Sequence, residues 1–580
     1  MAETTPHGPS TPARTGLSHE RPLGLSSSLV FIIGIVIQGI GFAGNYFISH
    51  HIGITVQGQT AIGVAGLFLT IASTVNGLAD LRVGSAYTYF IARGRSPEEL
   101  TGTYTVLRLA MVAAVCVSLF ALAPLFYFTQ GAVACPAGGP CVPTIPASVE
   151  VSAFGLFAIT PLLWSPGVIY TQLWVARGDS IRSQFPLLVQ SIAQTVGLIT
   201  VAFLQLSPVN DLWAFAFAYL GGGVASAIYS LPTVVHFGAR LRRLEVRRMF
   251  GYAWPLMGGL MLVYLWTNAP VFFVATLSAA GVAVFLAANG FRVLLLGIPN
   301  AVSVPLFPHL TNLHVRREYE QLRRRTWSAL RYTAMIIVPA AMAMVIYRTP
   351  LLNTLFVGLY AKTGAIPLAI LAVSAIPAAL SQIILTAFTS VGRQRLDLYL
   401  TALQVGVLFG FMFLVLPPYH PLGNWSLSGA AYAILASSLA GLALNVYFME
   451  RILAVRIQPR PILLITVSAI VSFLVVSRLN AYIDPNRWFI LVPALLLGFA
   501  AYYIALALTG ELSRQDVRTI AGFLGLPAFL ANFLARVCWR EDRWEAGEIL
   551  GEGRDAASDV GLDETRVRDD GDAARKPPSR

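Results

Sequence analysis

The chain has 580 residues, 56% of them hydrophobic and 12% charged, and its net charge of +12 comes from arginine except for Lys362 and Lys576. Soluble domains carry about 25% charged residues, so this composition, with a mean hydropathy of +0.67, excludes a soluble enzyme or nucleic-acid module. The apolar runs are continuous rather than alternating, which excludes a membrane β-barrel and leaves an all-α polytopic membrane protein.

Residues 1–28 are polar and rich in Pro and Ser. They lack the cleavage pattern of a secretory signal and read as a cytoplasmic tail, so the first apolar run is expected to stay in the mature protein. Runs of about 20 apolar residues, each long enough to cross a hydrocarbon core, then predict fourteen spans: 29–48, 62–92, 104–126, 149–175, 185–206, 212–237, 252–276, 280–308, 327–347, 364–388, 398–416, 427–447, 462–479 and 489–508. Residues 509–545 are amphipathic, with Phe523, Leu524, Phe529, Phe533 and Trp539 among charges, and suit an interfacial helix. From about 546 to 580 the Gly/Asp/Arg-rich tail has no apolar periodicity and reads as disordered.

The loops alternate in charge. One set holds Arg93, Arg95, Arg177, Arg182, Arg240, Arg242, Arg243, Arg247, Arg248, Arg316, Arg317, Arg323, Arg324, Arg325, Arg393, Arg395, Arg451, Arg456 and Arg460. The other holds only Arg348, Lys362, Arg478 and Arg487. By the positive-inside rule both termini are cytoplasmic, and an even span count agrees.

The chain also repeats itself. TYTVLR at 103–108 and TWSALR at 326–331 follow EEL and EQL, at an offset of 223 residues. The first and seventh predicted spans, starting at 29 and 252, are separated by the same offset. This predicts two pseudo-symmetric six-helix lobes, 29–237 and 252–447, followed by two additional spans within 462–508. An even number of spans per half makes the repeats parallel, with a substrate cavity between them. Arg108 and Arg331 occupy matching positions near the cytoplasmic ends of their spans, where snorkelling to lipid phosphate is expected.

Charges inside the spans carry the strongest functional signal. Arg292 lies about 12 residues into the eighth span, about 18 Å deep at 1.5 Å per residue, and Asn289 precedes it on the same face. An anion contact in a central cavity and a structural ion pair are the two readings. In NGLADLRVGSAYTYFIARGR (76–95), Asp80 and Arg82 interrupt an otherwise apolar span. On one helix they would face opposite ways; either one of them lines a cavity or both are interfacial. Gln38 and Asn45 in the first span, and Tyr264, Trp266 and Asn268 in the seventh, are candidate cavity residues or helix-packing contacts. There is no GxxxxGK[ST] phosphate loop, and the eight histidines are scattered without metal-ligand spacing. No cofactor or metal is expected. Cys135 and Cys141 share one outer loop, CPAGGPC, where a disulfide and two free thiols are both open.

The order of these features resembles the MOP flippase superfamily, and within it the polysaccharide transporters of the O-antigen flippase (Wzx-like) type. The resemblance rests on NGLADLRVGSAYTYFIARGR, although Asp80–Leu81–Arg82 replaces the family's Gly-Leu centre. It rests also on TPLLNTLFVGLYAKTGAIPLAILAVSAIP (349–377), on SVGRQR (390–395) and on GNWSLSGAAYAILAS (423–437). It covers 29–508. It implies a MOP/MATE-like fold in the cytoplasmic membrane and no catalysis. It further implies alternating-access movement of a polyprenyl-(pyro)phosphate-linked oligosaccharide from inner to outer leaflet, for cell-surface polysaccharide export. Coupling to H+ or Na+ is implied too, with Asp80 as the acidic residue available in a span, and Arg292, Asn289 and Arg82 as anion contacts on charge grounds. Membrane lipids and a glycan polymerase or glycosyltransferase are the expected partners. A lipid II flippase is a near relative. A MATE-type cation/drug antiporter would need cavity acids, and a membrane-embedded glycosyltransferase would need an acid-rich outer loop. The outer loops are short and nearly free of acids, with Glu150, Asp211 and Asp484 isolated.

Overall fold

The computed structural model describes residues 23–512, apart from 93–94, 130–144, 146, 178, 180, 205, 239–241, 357–358, 416–425, 457 and 480–487. Cys135, Cys141 and most of the amphipathic segment and tail therefore lie outside the described residues. The described chain forms α1 (Leu23–His51), α2 (Val56–Ala79), α3 (Val83–Ala92), α4 (Pro97–Thr129), α5 (Ala147–Ala176), α6 (Phe185–Leu204), α7 (Pro208–His236) and α8 (Arg243–Leu277). It continues through α9 (Ala279–Val315), α10 (Tyr319–Ile346), α11 (Arg348–Leu355), α12 (Leu359–Ser390), α13 (Gln394–Val415), α14 (Ser426–Ile452), α15 (Pro459–Leu479) and α16 (Trp488–Leu508). Fourteen of these are long and apolar enough to cross a membrane, as the hydropathy pattern predicts. A helix satisfies its own backbone groups, which hydrocarbon cannot do.

Two differences from the sequence reading matter. The span expected over 62–92 is not one helix: α2 stops at Ala79, and α3 starts at Val83. Leu81 and Arg82 occupy the left-handed region at φ 44° and 60°. The short α11 was not foreseen.

The helices pack in two groups. In the first, α1 lies on α6, α4 on α5, and both α5 and α6 on α7, while α2 runs against α4, α5 and α7. In the second, α8 lies on α13 and α14, and α9 and α12 form the centre with α10 and α14. The pair α15 and α16 packs on α10. The groups meet where α1 and α2 touch α9, and where α8 touches α2, α3 and α4.

At the arginine-poor end the seam is close enough to need glycine. A Cβ on Gly63 would overlap the carbonyl oxygen of Ala279, at the start of α9. Ser49 Oγ also donates to the Leu355 carbonyl across the seam (3.2 Å). At the arginine-rich end Tyr89 stacks on Tyr252 at 4.3 Å, and Arg95 reaches Glu245 at 3.8 Å. Between these contacts lies a cavity of about 230 Å³, lined by Asn45, Ser49 and Thr70 from one group and by Leu286 and Tyr360 from the other.

Gly63→Ala is expected to lower the thermal unfolding midpoint of the purified protein, by a destabilisation of ~1–3 kcal/mol typical of overpacking. Gly258→Ala, whose Cβ would meet only Leu398 at 3.7 Å, leaves the midpoint unchanged or slightly raised. Equal midpoints for the two variants would contradict the backbone contact at the seam.

Candidate functional site

The break between α2 and α3 organises the first cluster. Arg108 on α4 is 1% exposed. Its Nη1 donates to Asp80 Oδ1 at 2.6 Å and its Nη2 to Asn76 Oδ1 at 3.0 Å. Asn76 and Asp80 are one turn apart on α2, so both face the same arginine. Tyr104, a turn before Arg108, donates its hydroxyl to Asp80 Oδ1 at 3.2 Å. The other Asp80 oxygen accepts from the Gly84 amide at 3.3 Å, in the first turn of α3, where the helix dipole favours an anion. Tyr104 in turn stacks on Tyr87 at 4.7 Å. The snorkelling expected of Arg108 is thus corrected: its carboxylate partner lies inside the bundle, and the side chain turns inward to meet it. Arg331, at the matching repeat position, is also buried. It holds the backbone carbonyl of Glu511, past the end of α16.

Arg82 takes no part in that ion pair. No salt bridge involves it among the described residues, and its Nε is buried without a hydrogen-bond partner. Its charge is felt by Tyr264 on α8 and by Asp397 on α13, so it stands where the first group faces the second. Tyr264 packs against Gly77 of α2, leaving no room there for a Cβ. Asn268, one turn later on α8, shares that face.

Arg292 forms a second, separate cluster. It is 3% exposed; its Nε donates to Ser374 Oγ at 3.2 Å, and its guanidinium lies 4.9 Å from the ring centre of Trp266. Trp266 Nε1 donates to Ser437 Oγ at 2.9 Å. Two buried polar atoms there have no hydrogen-bond partner, Arg292 Nη2 and Asn289 Oδ1. The face of α9 that meets the first group is the one around Gly290 and Phe291, against Phe42. Arg292 turns away from it, to α8 and α12. Its side chain thus lies within the second group and away from the seam, and Arg292 and Arg82 are not brought together. Gln38 and Asn45 are exposed on α1, and Asn45 lines the cavity.

Sequence reasoning left Glu150 and Asp211 among isolated loop acids. Both lie inside helices, α5 and α7, and are buried, at 7% and 3% exposure. No local pattern marks that burial, which comes from packing of three helices.

Removing either partner of the Asp80–Arg108 pair strands a charge, and Arg108→Ala is expected to cost about 3–5 kcal/mol in a buried setting, less to the extent that Asp80 reaches water. In a double-mutant cycle followed by thermal unfolding, Asp80→Ala with Arg108→Ala should lose less than the two single losses combined. Strict additivity would mean that the pair is not coupled.

The family model of the lipid II flippase MurJ matches residues 150–500, more than half of the chain. The matched stretch contains Arg292 but not Asp80 or Arg82. Among solved structures, the chain is similar to a lipid II flippase MurJ in an inward closed conformation, at 13% identity and a TM-score of 0.65, over 83% of this chain and 99% of that one. It is similar to an inward-facing multidrug resistance MATE family transporter of the MOP superfamily, at 14% identity and 0.58, over 73% and 98%. A MOP superfamily transporter from Pyrococcus furiosus aligns at 14% identity and 0.52, over 74% and 95%. No curated protein sequence matches. The motifs pointed to the O-antigen branch of the superfamily; the family match falls on the lipid II flippase branch, which the sequence reading carried as a near relative. This multi-span protein with a MOP transporter fold belongs to the lipid II flippase MurJ family.

Proposed function

We propose that the protein carries a polyprenyl-pyrophosphate-linked saccharide of the lipid II kind from the arginine-rich to the arginine-poor side of the membrane. On the positive-inside rule this is movement from the cytoplasmic to the outer leaflet. The observation that carries the reading is Arg82, a cation of the helix break without an ion pair among the described residues, whose charge reaches Tyr264 and Asp397 of the other helix group. A charge left in that position favours a substrate with an anionic headgroup, and a pyrophosphate is a bidentate partner suited to guanidinium. An organic-cation antiporter would need the opposite polarity there.

The same geometry supports alternating access. The cavity of about 230 Å³ is smaller than the ~300–1,000 Å³ of ordinary small-molecule sites. A glycan headgroup enters only if the two groups part. Their contacts are concentrated at two ends: glycine against backbone at one, and the Tyr89–Tyr252 stack with Arg95–Glu245 at the other. Releasing one end while keeping the other turns the cavity toward one side. In this scheme the Asp80–Arg108 pair fixes the shape of the helix break that presents Arg82. Asp80 joins ion coupling only when that pair opens. Arg292 and Asn289 hold their unfilled polar atoms within the second group and serve as a second anion contact once α8 moves.

Cells depleted of the protein should accumulate lipid-linked saccharide on the inner leaflet, and the wild-type chain should release it. Arg82→Gln, at equal protein level, should slow release by about tenfold or more, the loss of one charge-assisted contact; Arg82→Lys should recover part of the rate. Absence of accumulation, with altered tolerance of cationic drugs instead, would overturn the proposal.

A further inference from the structure

We infer that an exposed arginine patch at the arginine-rich end of the second helix group is a docking surface for the chain's own acidic stretch, residues 541–572. The patch lies on two neighbouring turns. Arg316, Arg317, Arg323, Arg324 and Arg325 surround the turn from α9 into α10, and all five are exposed. Arg451 and Arg456, also exposed, flank the turn from α14 into α15. The two turns are joined. Arg323 Nε donates to the Leu453 carbonyl at 3.0 Å, and Leu322 and Leu453 share one apolar cluster. Three acids, Glu318, Glu320 and Glu450, stand among these seven arginines. Of the seven, only Arg324 forms a salt bridge among the described residues, with Glu320. Like charges held this close repel one another, so the patch favours an anionic partner.

The chain supplies that partner from beside the patch. After α16 it returns to α10: Arg331 holds the Glu511 carbonyl, and Leu512 is buried in the same apolar cluster as Leu322 and Leu453. Leu512 is the last described residue, so the chain leaves the helix bundle next to both arginine turns. Residues 513–540 then connect it to a stretch of 32 residues that holds twelve acids and four arginines, out of 28 acids in the whole chain. Even as a helix at 1.5 Å per residue, a connection of 28 residues spans about 42 Å, ample for a patch that begins beside Leu512. Exposed arginine–carboxylate pairs are individually weak. A tethered partner acts at an effective concentration of about millimolar, so several such pairs together are enough. The arginine-rich turn before α8 differs, because it carries its own carboxylate: Glu245 accepts from Arg248 and also meets Arg95. Anionic lipid headgroups are the other anions that exposed arginines meet at a membrane surface; the tether favours the acids of the chain itself.

The test is a competition on the full chain in nanodiscs of zwitterionic phosphatidylcholine, and it does not depend on what the protein transports. A fluorescent synthetic peptide of residues 541–572 is titrated against the wild type and against a full-length variant whose twelve acids in that stretch are replaced by Asn and Gln. The variant leaves the patch open. It should bind the peptide at least tenfold more tightly than the wild type, whose own stretch already occupies the patch, and added salt should weaken that binding. Arg316→Glu, Arg324→Glu and Arg325→Glu, combined in the variant, should lower the affinity at least tenfold. Arg243→Glu with Arg247→Glu, on the turn before α8, should leave it unchanged. Should the triple substitution fail to fold, Arg324→Glu alone, at an exposed position, should weaken binding about threefold. Equal affinity for the wild type and the variant, no binding to either, or binding that survives reversal of the patch would overturn the inference. Loss of the binding in discs that contain phosphatidylglycerol would overturn it too, and would assign the patch to anionic lipid.

Discussion

The bidentate hold of Arg108 on Asp80 and Asn76 is the interaction around which the first helix group is arranged. In hydrocarbon a helix can be interrupted only where the freed groups find partners within the protein. Here Asp80 receives a guanidinium, a phenol and the amide of the next helix. Two consecutive non-glycine residues then sit in the left-handed region, a conformation that costs of order 1–3 kcal/mol each. Backbone turns close the break, Leu81 N donating to the Leu78 carbonyl at 3.0 Å and Val83 N to the Asp80 carbonyl at 2.8 Å, and the ion pair anchors it to α4. The strain buys an orientation: Arg82 points toward the second helix group instead of along the face of a continuous helix.

The repeat suggested by TYTVLR and TWSALR illustrates how one position can serve two ends. Arg108 and Arg331 are both drawn into the protein rather than toward lipid phosphate. The first binds a carboxylate at a helix break. The second binds a main-chain carbonyl just after the last membrane helix, tying α10 to the chain that follows α16. A guanidinium has five donors in a rigid fork, so the same side chain can close an ion pair or cap a loose backbone.

Much of this architecture was legible in the sequence because the membrane imposes it. A run of about 20 apolar residues can do little else than cross, and the spans were read correctly in number. The helix break was not legible: Leu81 and Arg82 carry no turn propensity, and what selects their backbone is an arginine 28 positions from Asp80. Arg292 shows a related limit. Its depth follows from counting residues, but its direction around α9 is set by which helices pack there. Glu150 and Asp211 were passed over because an acid at a span boundary normally meets water. Only the packing of α2, α5 and α7 removes that water.

The close approach of Gly63 to Ala279 has a kinetic meaning. Where the two helix groups meet through main chain, few long side chains have to be ordered on closing or released on parting. Freezing a rotamer-rich side chain costs up to about 2 kcal/mol, and a glycine seam avoids that term in both directions. The arginine-rich end, which meets through tyrosines and an arginine–glutamate pair, does not avoid it. The two ends therefore differ in the entropy of making and breaking contact, which gives the protein an intrinsic asymmetry between the arginine-poor and arginine-rich ends of its seam.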